Sequence, residues 1–384
     1  MKERKNVGII TFFKFYNYGS SLQAFSTVKI LSRLGYDGSV IDINSGNKIC
    51  KILMYIKYII KSIRYPYLVK AMFQLKKANK IADNRISKET IRKFDEFTEK
   101  ELNVKKYTYS RLSKVAKTEE YCRFIAGSDQ IWSPQRAIIK KEYFLRFAPK
   151  AKRIAYAPSF GIDKIPEYNK KCIKKYINDF LNISVREEEG KKILKELINK
   201  DVPVVLDPTL LLDKEEWNSI INNESLEENQ YIFCYFLSTP SNKAIEYIKE
   251  YLKENKCIIV YLMNNYKWND IGEAKYYDGN PLDFVKGIKG AKMVFTDSFH
   301  SVAFSLNLNK SFYVFKRNYN HKFDQSSRIT SILGKVKEED RYISQEDIEC
   351  KIEKINDFER INNILQEERE KSLKWLKDKL DSVY

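Results

Sequence analysis

Residues 7–13 form an almost continuous apolar run that breaks into a polar turn over 14–20. A helical pattern follows at 20–34, with Leu22, Phe25, Val28 and Leu31 or Leu34 on one face and Gly35 where a C-cap glycine belongs. Residues 39–43 then read as a second strand. An apolar strand, a helix and another strand make a βαβ unit, which predicts a parallel sheet.

The same alternation continues along the chain. Strands are expected at 121–126, 153–157, 183–186 and 202–206, with a helix at 188–197, so a first domain spans 1–212. Residues 213–230 are polar and acidic and read as a linker. A second domain, 229–345, has strands at 231–237, 257–262, 293–296 and 312–315 and helices at 242–253, 281–289 and 299–306. A charged amphipathic helix at 353–379 fills most of the tail, 346–384. At roughly 100–200 residues per domain, a chain of 384 residues holds two or three. The expected fold class is α/β: two doubly wound, Rossmann-like domains facing a cleft at the carboxyl ends of both sheets.

Residues 48–100 stand apart as a helical, strongly basic insert in which Ile52, Tyr55, Ile56, Ile59, Ile60 and Ile63 mix with Lys51, Lys57, Lys61 and Arg64. Such a stretch either lies on an anionic membrane surface or packs on its domain with a solvated basic face. The net charge of +18 favours anionic partners, or reflects a compositional bias toward Lys, Ile and Asn. The basic residues are dispersed and match no nucleic-acid motif, so nucleic acid is not expected as a partner.

The six cysteines include no CxxC pair, and neither His300 nor His321 lies near one. They read as core thiols in a reducing compartment, and no metal site is expected. There is no signal-peptide pattern and no apolar stretch of about 18 residues, so a cytoplasmic location is expected, with peripheral contact at the inner face of the membrane through the insert.

The polar residues that carry chemistry cluster just after strands. Asn17, Gly19, Ser20 and Gln23 open the first helix, where free N–H groups suit an anion or a simple capped turn. Ser128, Asp129, Gln130 and Trp132 follow the strand at 121–126; the carboxylate can accept from a hydroxyl, and the indole either stacks on a sugar ring or lies in the core. Ser159 sits at the next strand end. Arg186 ends a strand and either clamps a carboxylate or phosphate or pairs with Glu187, Glu188 or Glu189. Asp207, before Pro208, reads as a turn residue. Asp297, Ser298 and His300 mark a strand-to-helix switch, where the helix dipole favours the neutral imidazole of a general base. Ser327 and Arg328 offer a second anion clamp.

Taken in order, NYGSSLQA (17–24), GSDQIW (127–132), YAPSFG (156–161), SVREEEG (184–190), VPVVLDPTLLL (202–212) and TDSFHS (296–301) resemble the polysaccharide pyruvyl transferase family. The resemblance covers roughly 7–45 and 120–335. It implies a glycosyltransferase-B-like pair of domains, with the C-terminal helix crossing back onto the first. It also implies a transferase of cell-surface polysaccharide biosynthesis, with phosphoenolpyruvate as donor, no cofactor, and a nucleotide-linked or lipid-linked sugar or glycan as acceptor. Many members carry an arginine–apolar–histidine–glycine arrangement. Here Ser298 replaces the arginine and Ser301 the glycine, while His300 is kept. Arg186 and Arg328 are then expected to supply the donor's cationic contacts with Ser298 and Ser327. His300, Arg186 and Asp129 are the expected catalytic residues. The acceptor is expected at Asn17, Gly19, Ser20, Gln23, Ser128, Gln130, Trp132, Ser159 and Asp297. Two other readings stand beside this one: a nucleotide-sugar glycosyltransferase on the same fold, and a non-catalytic scaffold of a membrane-associated glycan-assembly complex.

Overall fold

The computed structural model describes residues 4–44, 48–69, 86–226, 231–262, 274–317, 325–344 and 357–382. His321 and the expected helix start at 353–356 lie outside them, as do parts of the basic insert and of the expected linker.

The first domain contains β1 (Lys5–Ile10), α1 (Tyr18–Arg33), β2 (Tyr36–Asn44), α2 (Lys48–Arg64), α3 (Lys88–Glu101), β3 (Val104–Thr108) and α4 (Tyr109–Val115). It continues with β4 (Arg123–Ala126), β5 (Arg153–Ala155), α5 (Glu167–Ile177), β6 (Asn182–Ile183) and α6 (Glu188–Ile198). Two short helices, α7 (Pro208–Leu211) and α8 (Lys214–Ile220), lead into the second domain. There follow β7 (Tyr231–Tyr235), α9 (Asn242–Asn255), β8 (Ile258–Leu262), β9 (Ala274–Tyr277), α10 (Pro281–Gly290) and β10 (Met293–Thr296). Then come α11 (Phe299–Asn307), β11 (Phe312–Phe315), α12 (Ser327–Val336), β12 (Tyr342–Ile343) and α13 (Phe358–Asp381).

Both sheets are parallel and six-stranded, in the orders β3-β2-β1-β4-β5-β6 and β9-β8-β7-β10-β11-β12. Numbered within its own domain, each sheet reads 3-2-1-4-5-6, the doubly wound order whose switch point lies between the first and fourth strands. The central strands are buried on both faces; β7 and β10 are buried throughout.

Some sequence expectations change. Residues 202–206 form a single bridge, Val185 to Val204, in place of a strand. Residues 213–230 contain α8, closed by a capping box between Asp213 and Glu216 and pinned by the fully buried Trp217. Trp217 packs between Phe25 of the first domain and Phe304 of the second, and its indole N–H donates to Thr209 O. The junction is therefore core rather than tether. Helix α13 runs along both domains: Ser372 Oγ accepts from Leu206 N, and the Arg369 guanidinium donates to Leu210 O and to Asn307 Oδ1.

Candidate active site

Strand β1 delivers the chain to α1, whose N-cap is Asn17, its Oδ1 accepting from Ser20 N at 3.0 Å. Asn17 is thus committed to its own helix. Ser20 Oγ donates instead to Asp129 Oδ2 at 2.6 Å, and Ser21 Oγ faces Phe13 O. Gln23 is fully buried. Its amide donates to Thr11 Oγ1, Phe12 O and Ser20 O, and its Oε1 accepts from Ser128 N, so it ties the turn after β1 to the turn after β4.

Past β4, Asp129 is buried, with one oxygen on Ser20 and the other accepting from Gln130 N. Trp132, a candidate sugar platform, has no exposed surface; it stacks on Phe144 and donates to Tyr143 O, which makes it a core residue. Gln130 reaches across to the second domain, its Nε2 facing Gln325 Oε1 at 3.5 Å. Gly161 makes room for it, since a Cβ there would stand 1.8 Å from Gln130 Nε2. Ser159 donates to Glu187 Oε1, which also accepts from Phe160 N and Gly161 N; this carboxylate organises the turn after β5 rather than pairing with Arg186.

Arg186 instead finds Asp207, at 2.5 Å, with Asp129 at 3.8 Å. Asp207 is the residue that sequence reading treated as a turn. It does cap α7, its Oδ1 accepting from Thr209 N and Oγ1, but its Oδ2 takes Arg186 Nη1 and lies 2.7 Å from Ser128 Oγ. Its position directly after an apolar run was the available signal, since the other functional carboxylates share that placement. The Arg186 guanidinium lies 4.3 Å over the Phe299 ring, and among the described residues its Nε and Nη2 have no hydrogen-bond partner.

The second domain inserts His300 into this cluster from the first turn of α11. Its Nε2 lies 3.9 Å from Asp207 Oδ2, and among the described residues that nitrogen has no hydrogen-bond partner. The ring seats directly on Gly19: a Cβ at Gly19 would stand 2.0 Å from His300 Nδ1. Arg328 is buried at the start of α12 and acts electrostatically on both Asp129 and His300. Ser327 Oγ is buried without a partner among the described residues. Ser298 caps α11 by position, with its backbone N–H donating to Thr296 Oγ1.

Asp297 is engaged elsewhere. It accepts from Leu237 N, Ser238 N, Ser238 Oγ and the Arg317 guanidinium, so it builds the second domain's own turn and is not free to orient an acceptor. Arg317 was not singled out from sequence, and Glu187 was named there only as a possible partner of Arg186. Among the described residues, no group of three or more His, Cys, Asp or Glu is arranged to hold a metal.

Burial pushes the His300 imidazole down to about 4, against the pull of Asp207 and Asp129, so it is neutral near pH 7. Burial alone would raise both aspartates, but the Arg186 guanidinium, the His300 imidazole and their hydrogen bonds together outweigh it, holding Asp129 below its ordinary value and Asp207 at about 2. A neutral base, two carboxylates and two guanidiniums thus share one water-poor site. It is equipped to bind an anion and move a proton.

Two parallel 3-2-1-4-5-6 domains with a charged site between their carboxyl ends define a GT-B-type transferase fold, and solved structures agree. The chain superposes on Arabidopsis thaliana UGT89C1 with TM-score 0.53 at 9% identity, covering 98% of this chain and 100% of that one. The same enzyme complexed with UDP-L-rhamnose gives TM-score 0.52 at 9% identity, covering 99% and 100%. The family model for polysaccharide pyruvyl transferase matches residues 17–319. The chain belongs to that family and is a transferase of polysaccharide pyruvylation. No curated protein sequence matches it. Among the described residues, no helix is long and apolar enough to cross a membrane.

Proposed function

We propose that the chain transfers the pyruvyl group of phosphoenolpyruvate onto a hydroxyl, or a hydroxyl pair, of a sugar in a nucleotide-linked, lipid-linked or growing glycan acceptor. The observation that carries this reading is the buried Arg186, two of whose nitrogens have no hydrogen-bond partner among the described residues, beside Asp207, Asp129 and His300. The donor bears a carboxylate and a phosphate, which call for two cationic contacts; Arg186 and Arg328 supply them, and Ser327 adds a hydroxyl.

The reaction then follows from protonation states. Neutral His300 takes the proton of the attacking hydroxyl as its oxygen bonds to the donor's C2. The resulting imidazolium returns a proton to the methylene carbon, which becomes a methyl group. Where a second hydroxyl is present, it attacks the same carbon, the again-neutral His300 takes its proton, and phosphate leaves with the C–O bond electrons, giving a ketal. Asp129 and Asp207 stay ionised, stabilise the transient imidazolium and hold Arg186 in register.

A thermal-shift titration tests this. Phosphoenolpyruvate at about 100 times its dissociation constant should add roughly 2.7 kcal/mol, and Arg186→Met should abolish the shift. A shift with UDP and none with phosphoenolpyruvate would favour a nucleotide-sugar donor instead.

A further inference from the structure

Helix α2 is amphipathic in the wrong sense for a helix in water. Its protein-facing side carries Tyr58, Lys61 and Ser62, with the half-buried Tyr65 just past its end. Lys61 Nζ donates to Ala137 O at 2.7 Å and sits 5.1 Å from the Tyr168 ring centre; Ser62 Oγ is buried with no partner among the described residues. The opposite face turns Ile52, Ile56, Ile59, Ile60 and Ile63 outward, with Ile59, Ile60 and Ile63 at 59%, 63% and 77% exposure. Tyr55 and Tyr67 are also exposed beside this face. A polar stripe pressed onto the protein and an isoleucine stripe presented outward reverse the usual arrangement, and the reversal is stable only where something apolar covers the isoleucines.

Charge identifies what covers them. The stretch 48–69 holds five Lys or Arg and no Asp or Glu. A second copy of this face would set cation against cation, whereas an anionic bilayer matches both the apolar stripe and the basic flank of Lys57 and Arg64. We infer that α2 docks the enzyme on an anionic lipid surface, with its isoleucine face in the interfacial layer.

The placement of α2 adds a consequence that rests on the proposed function. It begins just past the carboxyl end of β2, the end of the sheet at which Asp129 and Arg186 lie, and Lys61 fastens it to the chain a few residues beyond Asp129. Docking through α2 therefore holds the carboxyl end of the first sheet near the lipid surface, where a lipid-linked sugar is presented.

The test is co-sedimentation of the full chain with vesicles of phosphatidylcholine containing about one third phosphatidylglycerol, beside pure phosphatidylcholine vesicles. Binding to the anionic vesicles, weakened by salt, is expected. Ile59→Glu with Ile63→Glu should lower it by at least about tenfold, and Lys57→Glu with Arg64→Glu should do the same. Melting temperature and the phosphoenolpyruvate shift should stay unchanged in both variants, which separates a failure of docking from a failure of the donor reading. Absence of vesicle binding, or binding indifferent to both double variants, overturns the inference. A concentration-dependent dimer that Ile59→Glu with Ile63→Glu dissolves, without vesicle binding, reassigns the face to self-association.

Discussion

Each domain places an aspartate just past the fourth strand of its sheet and hydrogen-bonds it to the segment that follows the first strand, the first turn of α1 in one domain and the loop after β7 in the other. In the first domain Asp129 meets Ser20; in the second, Asp297 meets Leu237 and Ser238. The slot is the same and the use is not. Asp297 accepts two backbone N–H groups, a hydroxyl and a guanidinium, which leaves it nothing to offer a ligand. Asp129 accepts one hydroxyl and its neighbour's N–H, and spends the rest of its field on Arg186 and His300. The second domain has spent its switch-point carboxylate on structure and sends an imidazole three residues later into the first domain's site.

The sharpest way to break this comparison is to neutralise each aspartate in turn. Asp129→Asn keeps the shape and should lower turnover by about a thousandfold, roughly 4 kcal/mol of barrier, with little change in melting temperature. Asp297→Ala should do the reverse. It strands buried donors and the Arg317 charge, so unfolding should cost about 3 kcal/mol less, while the phosphoenolpyruvate shift survives in the folded fraction. Equal effects in the two variants would erase the distinction.

Acid probes the same contrast. The folded pKa of His300 lies below its unfolded value, so the unfolded chain binds the extra proton. The associated stability is fully present above about pH 6.5 and is lost as pH falls toward 4. The loss is on the order of 3 kcal/mol for the full shift. Asp207 adds a further loss only between about pH 4 and 2. Denaturant melts of the wild type against His300→Gln, taken from pH 7 to 4.5, should differ in slope; parallel slopes would assign the acid sensitivity elsewhere. A smaller effect is expected of Gly19→Ala. Its methyl would overlap His300, costing about 2 kcal/mol through displacement of the ring, and turnover should fall about tenfold to a hundredfold without loss of donor binding.

Central strands and capped helices were legible in the sequence because a strand buried on both faces must read as an apolar run. Of the four edge strands only β6 was marked, by the strand expected at 183–186. β3, VKKYT, and β9, AKYY, are half exposed and carry lysines, so no run marks them. Helices α5 and α12 also went unrecognised, since α5 buries only Asn169, Ile173 and Ile177. The three residues that the strand-end rule marked, Asp129, Arg186 and His300, do lie together, but one-dimensional spacing cannot tell a platform indole from a core indole, and Trp132 proved to be core. It also cannot separate an aspartate that only caps a helix from one that also holds a buried arginine, and Asp207 does both: one oxygen caps α7 while the other holds Arg186.

The seat of His300 on Gly19 gives the molecule a form of coincidence detection. The base comes from one half of the chain and its carboxylates from the other, and the contact leaves no slack for even a methyl group. Any parting of the halves wide enough to admit a sugar withdraws the imidazole from Asp207. Under the proposed mechanism, proton transfer and an open mouth are then mutually exclusive states, so a stray water that enters with the cleft ajar would meet no base in place to activate it.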